Sequence, residues 1–91
     1  MEASYRRVLV ICNQRGLHAR ASRKLAELAL AHRARIEVRC EEETVDATSL
    51  MDLLMLGAGC GSSIEVVAEG EDAQAALDAI TQLIENKFGE E

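Results

Sequence analysis

The sequence predicts an α+β domain with the element order β-α-β-β-α-β-α and helices over one face of a sheet. Three observations carry this. Segments that alternate with period two are interleaved with segments of helical period. Capping and turn residues stand at the junctions. The 91 residues suit one core, so residues 1–91 are expected to form a single domain without linker or internal repeat.

Each element has its own justification. Tyr5–Cys12 is apolar and rich in β-branched residues, which predicts a strand. Arg15-Gly16-Leu17-His18 reads as a turn into a helix running from Ala19 to about His32, with Ala21, Leu25, Leu28 and Ala29 as its core-facing stripe. Ile36–Cys40 alternates and predicts a half-buried strand. Glu41-Glu42-Glu43 marks a surface turn, and Thr44–Ala47 a short return strand. Ser49 and Asp52 have the spacing of an N-cap and its third helical residue, so a helix over Leu50–Leu56 follows. Gly57-Ala58-Gly59-Cys60-Gly61 ends it in a loop. Ile64–Glu69 is a strand with Ile64, Val66 and Ala68 on one face. Asp72 is expected to cap a last helix buried along Ala73, Ala76, Leu77, Ile80, Leu83 and Ile84.

Composition narrows the function. The only aromatics are Tyr5 and Phe88, which argues against a protein that stacks nucleic-acid bases. The longest apolar runs are far below the roughly 20 residues needed to cross a bilayer. The run after Arg6-Arg7 is too short for a signal segment, so a cytosolic protein with no membrane partner is expected. Three cysteines, Cys12, Cys40 and Cys60, suit idle thiols better than a disulfide scaffold. No metal-ligand spacing or cofactor motif stands out.

Charge is unevenly spread. Residues 1–40 hold nine of the ten basic side chains and three acids, whereas residues 41–91 hold thirteen acids and one base. The basic part can attract an anion or an acidic partner. The acidic part would repel nucleic acid, which is not expected as a partner.

His18 is the residue to explain. It stands at the start of the first helix, where unpaired N–H groups and the positive end of the helix dipole favour an anion. A phosphate on His18 would meet the N–H groups of Ala19 and Arg20, with the Arg20 guanidinium as counter-charge. The plainer alternative is a cap or surface histidine. His32, near the other end of the helix, suits a structural role there. The middle helix is a second anomaly. Six of its seven residues are apolar, so some of Leu50, Met51, Leu53, Leu54, Met55 and Leu56 must face water or a partner.

The segment Asn13-Gln14-Arg15-Gly16-Leu17-His18-Ala19-Arg20 resembles the active-site motif of HPr, the histidine-containing phosphocarrier of the phosphotransferase system. Val45-Asp46-Ala47-Thr48-Ser49-Leu50-Met51 is similar to the family's second motif, around its regulatory serine. Leu53-Leu54-Met55-Leu56 and the acidic end after Phe88 look most like the nitrogen-related branch. The resemblance implies an open-faced β-sandwich, with four antiparallel strands and three helices on one side. It implies that His18 Nδ1 accepts a phosphoryl group from enzyme I, charged by phosphoenolpyruvate, and passes it to an EIIA-type protein. Arg20 would stabilise the phosphate. Leu50, Met51, Leu54 and Arg15 would form the docking surface, and the protein would be a monomeric carrier rather than an enzyme. Two departures stand out. Ala21 replaces the family's usual proline, and Asp52 lies close to Ser49, where it would repel a phosphoserine made by a kinase. The second reading is a regulatory module whose affinity for a signalling enzyme switches on phosphorylation of His18. A nucleic-acid binder of similar build is the third.

Overall fold

The structure, a computed structural model, describes residues 4–90. Its elements are β1 (Ser4–Val10), α1 (Ala19–Leu30), β2 (Arg35–Cys40), β3 (Glu43–Asp46), α2 (Leu50–Leu56), β4 (Ser63–Glu69) and α3 (Ala73–Glu85), followed by a 3-10 turn at Lys87–Gly89. The order is the expected one. The sheet order is β1-β4-β2-β3, antiparallel throughout.

The period-two pattern sets which side chains are inside. Leu9 pairs with Ile64, Val38 with Val66, and Ile36 with Ala68. All six are buried against the helices. The alternate residues face outward: Glu65 pairs with Arg6 and Arg39 there, and Val8 and Val10 are exposed. Helix periodicity works likewise. Ala21, Leu25 and Ala29 of α1 and Ala73, Ala76, Leu77, Ile80 and Ile84 of α3 are buried, while Leu28 and Leu83 pack at the edge of the same cluster.

The ends of elements differ from expectation. β1 stops at Val10 rather than Cys12, because the chain turns toward Asn13; Ile11 keeps one partner segment, donating to Ser62 O at 2.9 Å and accepting from Gly61 N at 2.7 Å. α1 stops at Leu30, two residues short of His32, and the His32 ring sits 2.9 Å from Leu28 O beside the last turn. Asp72 does not cap α3 with its side chain. Its carboxylate instead accepts from Arg33 N at 2.8 Å, since the turn after α1 brings an unpaired N–H to it. The 3-10 turn is not foreseen by the sequence reading at all. It exists because Phe88, at 1% exposure, is drawn into the core.

Ser49 behaves as expected and accepts from Asp52 N at 3.3 Å. The reciprocal half of a capping box is replaced: Ser49 N donates to Asp46 O at 3.0 Å. The Asp46 carboxylate accepts from the Thr48 hydroxyl and N–H, at 2.6 and 2.8 Å. Those two bonds hold its carboxyl below the usual aspartate range. Gly57 closes α2 with φ 68°, the left-handed cap its position predicts.

Candidate functional site

Between β1 and α1 the backbone is tied at Asn13, Gly16, Leu17 and His18. Gly16 N donates to Asn13 O at 3.1 Å, His18 N to Gly16 O at 2.9 Å, and Leu17 N to Ala58 O at 2.8 Å. Leu17 is buried, and Gly16 has φ +66°. A Cβ on Gly16 would lie 2.7 Å from both Ala58 O and Gly59 Cα. The glycine-rich loop after α2 is therefore the seat on which this turn rests. Sequence reasoning places that loop correctly but gives it no such task.

Two buried polar side chains finish the turn. Asn13, fully buried, donates from Nδ2 to Gly16 O at 2.8 Å and to Glu90 Oε1 at 3.0 Å. Ser22, also fully buried, donates from its hydroxyl to Leu17 O at 3.0 Å, and its N–H closes the first helical bond on His18 O. Ala21, at the position where the resemblance expects proline, is buried within a regular first turn.

His18 is the N-cap of α1, with extended backbone at φ −77° and ψ −175°. This non-helical geometry is what lets the ring reach Arg20, two residues on. Arg20 N donates to His18 Nδ1 at 3.3 Å. The other ring nitrogen, Nε2, contacts Glu90 Oε2. A nitrogen that accepts an N–H carries no proton, so this pattern assigns the proton to Nε2 and a lone pair to Nδ1. That lone pair points at the helix N-terminus, and the ring is 23% exposed.

The surroundings are basic with one acid set among them. Gln14, Arg15, Arg20, Lys24, Gly89 and Glu90 line a cleft of about 290 Å³. The Asn13 amide holds the Glu90 carboxyl below the ordinary glutamate range, helped by His18 and the field of Arg15, with burial acting against them. Glu90 is missed by sequence reasoning, and nothing short-range signals it. It lies 72 residues from His18.

The apolar helix stands beside this site. Ala19, Arg20, Arg23 and Leu50 line a cleft of about 420 Å³ that joins the start of α1 to α2. Met51 and Met55 are 64% and 75% exposed, Leu50 and Leu54 are half-buried, and Leu53 and Leu56 enter the core. Only two of the six apolar side chains are thus used inside. Arg15 is exposed and lines the cleft that holds Glu90, and Ser49 lies at the start of α2 with its hydroxyl engaged as a cap.

Other candidates gather no chemistry. Cys12, Cys40 and Cys60 are free thiols, and burial together with Glu41 and Glu43 pushes the Cys40 thiol up. Among the described residues no group of three His, Cys, Asp or Glu side chains is placed to hold a metal ion, and no helix is long and apolar enough to cross a membrane.

The family model described as the PTS HPr component phosphorylation site matches residues 5–86. The chain belongs to the HPr family. It is 48% identical over 84 residues to the phosphocarrier protein NPr of Shewanella violacea, covering 92% of each chain. It is 45% identical to the phosphocarrier protein HPr of Cupriavidus necator, covering 88% of this chain and 90% of that one. The crystal structure of HPr from Thermoanaerobacter tengcongensis superimposes with a TM-score of 0.92 at 36% identity, covering 96% of this chain and 98% of that one. The fold that the resemblance implied is the fold observed. As an HPr-family protein the chain is a phosphocarrier of the phosphotransferase system, not a catalytic enzyme.

Proposed function

We propose that His18 Nδ1 takes a phosphoryl group from phosphorylated enzyme I and hands it to an EIIA-type protein. The observation that carries this is the lone pair on Nδ1, aimed at the start of α1 with the Arg20 N–H upon it, next to a cleft that Arg15 and Arg20 line together with Glu90, whose carboxylate meets the other ring nitrogen. In the step, the Nδ1 lone pair forms the N–P bond while the donor's bond to phosphorus breaks and its electron pair stays with the donor. The N–H groups of Ala19 and Arg20 then face phosphate oxygens, and the Arg20 guanidinium balances their charge. Little covalent work falls to the carrier. Positioning and charge neutralisation are its contribution.

The donor and acceptor share one docking surface in this reading, formed by Leu50, Met51, Leu54 and Arg15 around His18. Exposed methionines suit a face that must accept more than one partner, because the thioether repacks readily. We take the system to be the nitrogen-related regulatory one, acting in the cytoplasm; the support for that branch is the 48% identical relative named NPr. Ser49 is assigned the capping role rather than regulatory phosphorylation, because its hydroxyl already serves Asp52 N. A second reading, a binding module switched by phosphorylation at His18, is favoured only by the exposure of Met51 and Met55.

The deciding experiment is intact-mass analysis after incubation with phosphoenolpyruvate and enzyme I of the nitrogen branch. One acid-labile phosphoryl group on the wild type is the expected result, and an unlabelled protein with either branch's enzyme I overturns the carrier reading. Two variants test the parts. Arg20→Ala is expected to slow labelling about 100-fold with an unchanged melting temperature, as when one charge-stabilising group is removed from a transfer site. A normal rate would remove Arg20 from the mechanism. Met51→Glu is expected to weaken binding to donor and acceptor alike by about tenfold, read by calorimetry. Unaltered affinity for both would show that this face is not the docking surface.

A further inference from the structure

The segment Lys87–Glu90 lies beyond residues 5–86, the part of the chain that the family model matches. It is nevertheless built onto the site. Phe88 is buried at 1% exposure, and Lys24 Nζ donates to its carbonyl at 2.5 Å. Gly89 N donates to Asn86 O at 2.9 Å and Glu90 N to Lys87 O at 3.0 Å. Lys87 and Phe88 hold φ near +55°, which side chains other than glycine rarely adopt. The burial of the Phe88 ring offsets that strain and makes the turn a fixed hook. Its tip delivers the Glu90 carboxylate, 12% exposed, between Asn13 Nδ2 and His18 Nε2.

We propose that Glu90 is a positioning residue for phosphoryl transfer at His18, a role that rests on His18 being the acceptor. By accepting the Nε2 proton, one carboxylate oxygen fixes the ring's rotation and keeps the lone pair on Nδ1. As the Nδ1–P bond forms, the ring gains positive character, and the Glu90 charge stabilises it from the far nitrogen. The proton stays in the Nε2–Glu90 bond throughout, so no further reactant is needed. The arrangement works as a carboxylate does behind a catalytic imidazole: it acts through the ring and never touches the transferred group. Asn13 holds the second carboxylate oxygen and so prevents Glu90 from swinging round to the Arg15 and Arg20 side chains, where it would compete with the phosphate.

Glu90→Gln keeps the shape and removes the charge; Glu90→Ala removes both. The expected result is a labelling rate about tenfold lower in Glu90→Gln and lower still in Glu90→Ala, as for other residues that orient a reactive histidine, with the KM for enzyme I within twofold of wild type. In the unphosphorylated protein the His18 Nε2–H should give a low-field proton resonance that shifts in Glu90→Gln and is lost to exchange in Glu90→Ala. A merely structural role for Glu90 would move neither the resonance of a folded Glu90→Gln protein nor its rate at saturating enzyme I. Wild-type rates in both variants, or an unmoved resonance in Glu90→Ala, overturn the proposal alone. A wild type that takes no label overturns the acceptor reading of His18 and this proposal with it.

Discussion

Replacing His18 with alanine is expected to abolish labelling by phosphoenolpyruvate and enzyme I, while the protein stays folded. The loss is complete because no other side chain offers a ring nitrogen at a helix N-terminus. The second histidine, His32, sits at the opposite end of α1 with its ring against Leu28 O. There the helix dipole presents its negative end, so a phosphoryl group would be repelled where at His18 it is attracted. The fold should survive because the site of change is a cap and not a core position. Loss of a capping side chain costs about 1 kcal/mol, a modest part of the stability of a domain this size. The measurement is intact mass before and after incubation, with circular dichroism as the check on folding. Label remaining on a folded His18→Ala protein would move the acceptor elsewhere and sink the mechanism.

Replacing Gly16 with valine is expected to lower stability by about 3 kcal/mol. Two costs add. A side chain at φ +66° costs about 1–2 kcal/mol by itself. The new Cβ also meets backbone, Ala58 O and Gly59 Cα, at 2.7 Å, and backbone cannot rotate away. Forced displacement of that kind costs about 1–3 kcal/mol. For a chain of this length the melting temperature should fall by about 10 °C or more. Labelling should slow as well, because the turn carries His18 with it. Gly59→Ala is the matched control: nothing lies within 4 Å of a Cβ there, so it should stay within about 0.5 kcal/mol of wild type. Equal melting temperatures for Gly16→Val and wild type would mean that the loop is not the seat of the turn.

The short-range features of this protein are legible in its sequence. Alternation put Ile64, Val66 and Ala68 on one face, and the i, i+3, i+4 stripe of α3 found its buried side. Ser49, three residues before Asp52, marked the start of α2, and Gly57 its end. The histidine site was legible for the same reason. The Asn13–Arg20 segment closes on itself through bonds spanning a few residues, such as Asn13 to Gly16 and Arg20 to His18. Asp72 shows where such rules fail. Its spacing suits a cap, but a competing N–H from Arg33, 39 residues earlier, takes the carboxylate.

The order of elements, their inward faces, the anion-seeking start of α1 and the excess of apolar side chains on α2 can all be read from the order of residues. These depend on local backbone geometry and on the period of the pattern, which neighbouring residues settle among themselves. Long-range packing, by contrast, sets the glycine-rich loop under Gly16, turns Met51 and Met55 of α2 outward rather than its leucines, and stands Glu90 behind His18. Each of these joins residues more than thirty positions apart or chooses among chemically similar side chains. Such choices follow from how the core fills, here from the burial of Leu53, Leu56 and Phe88, and no local pattern records them.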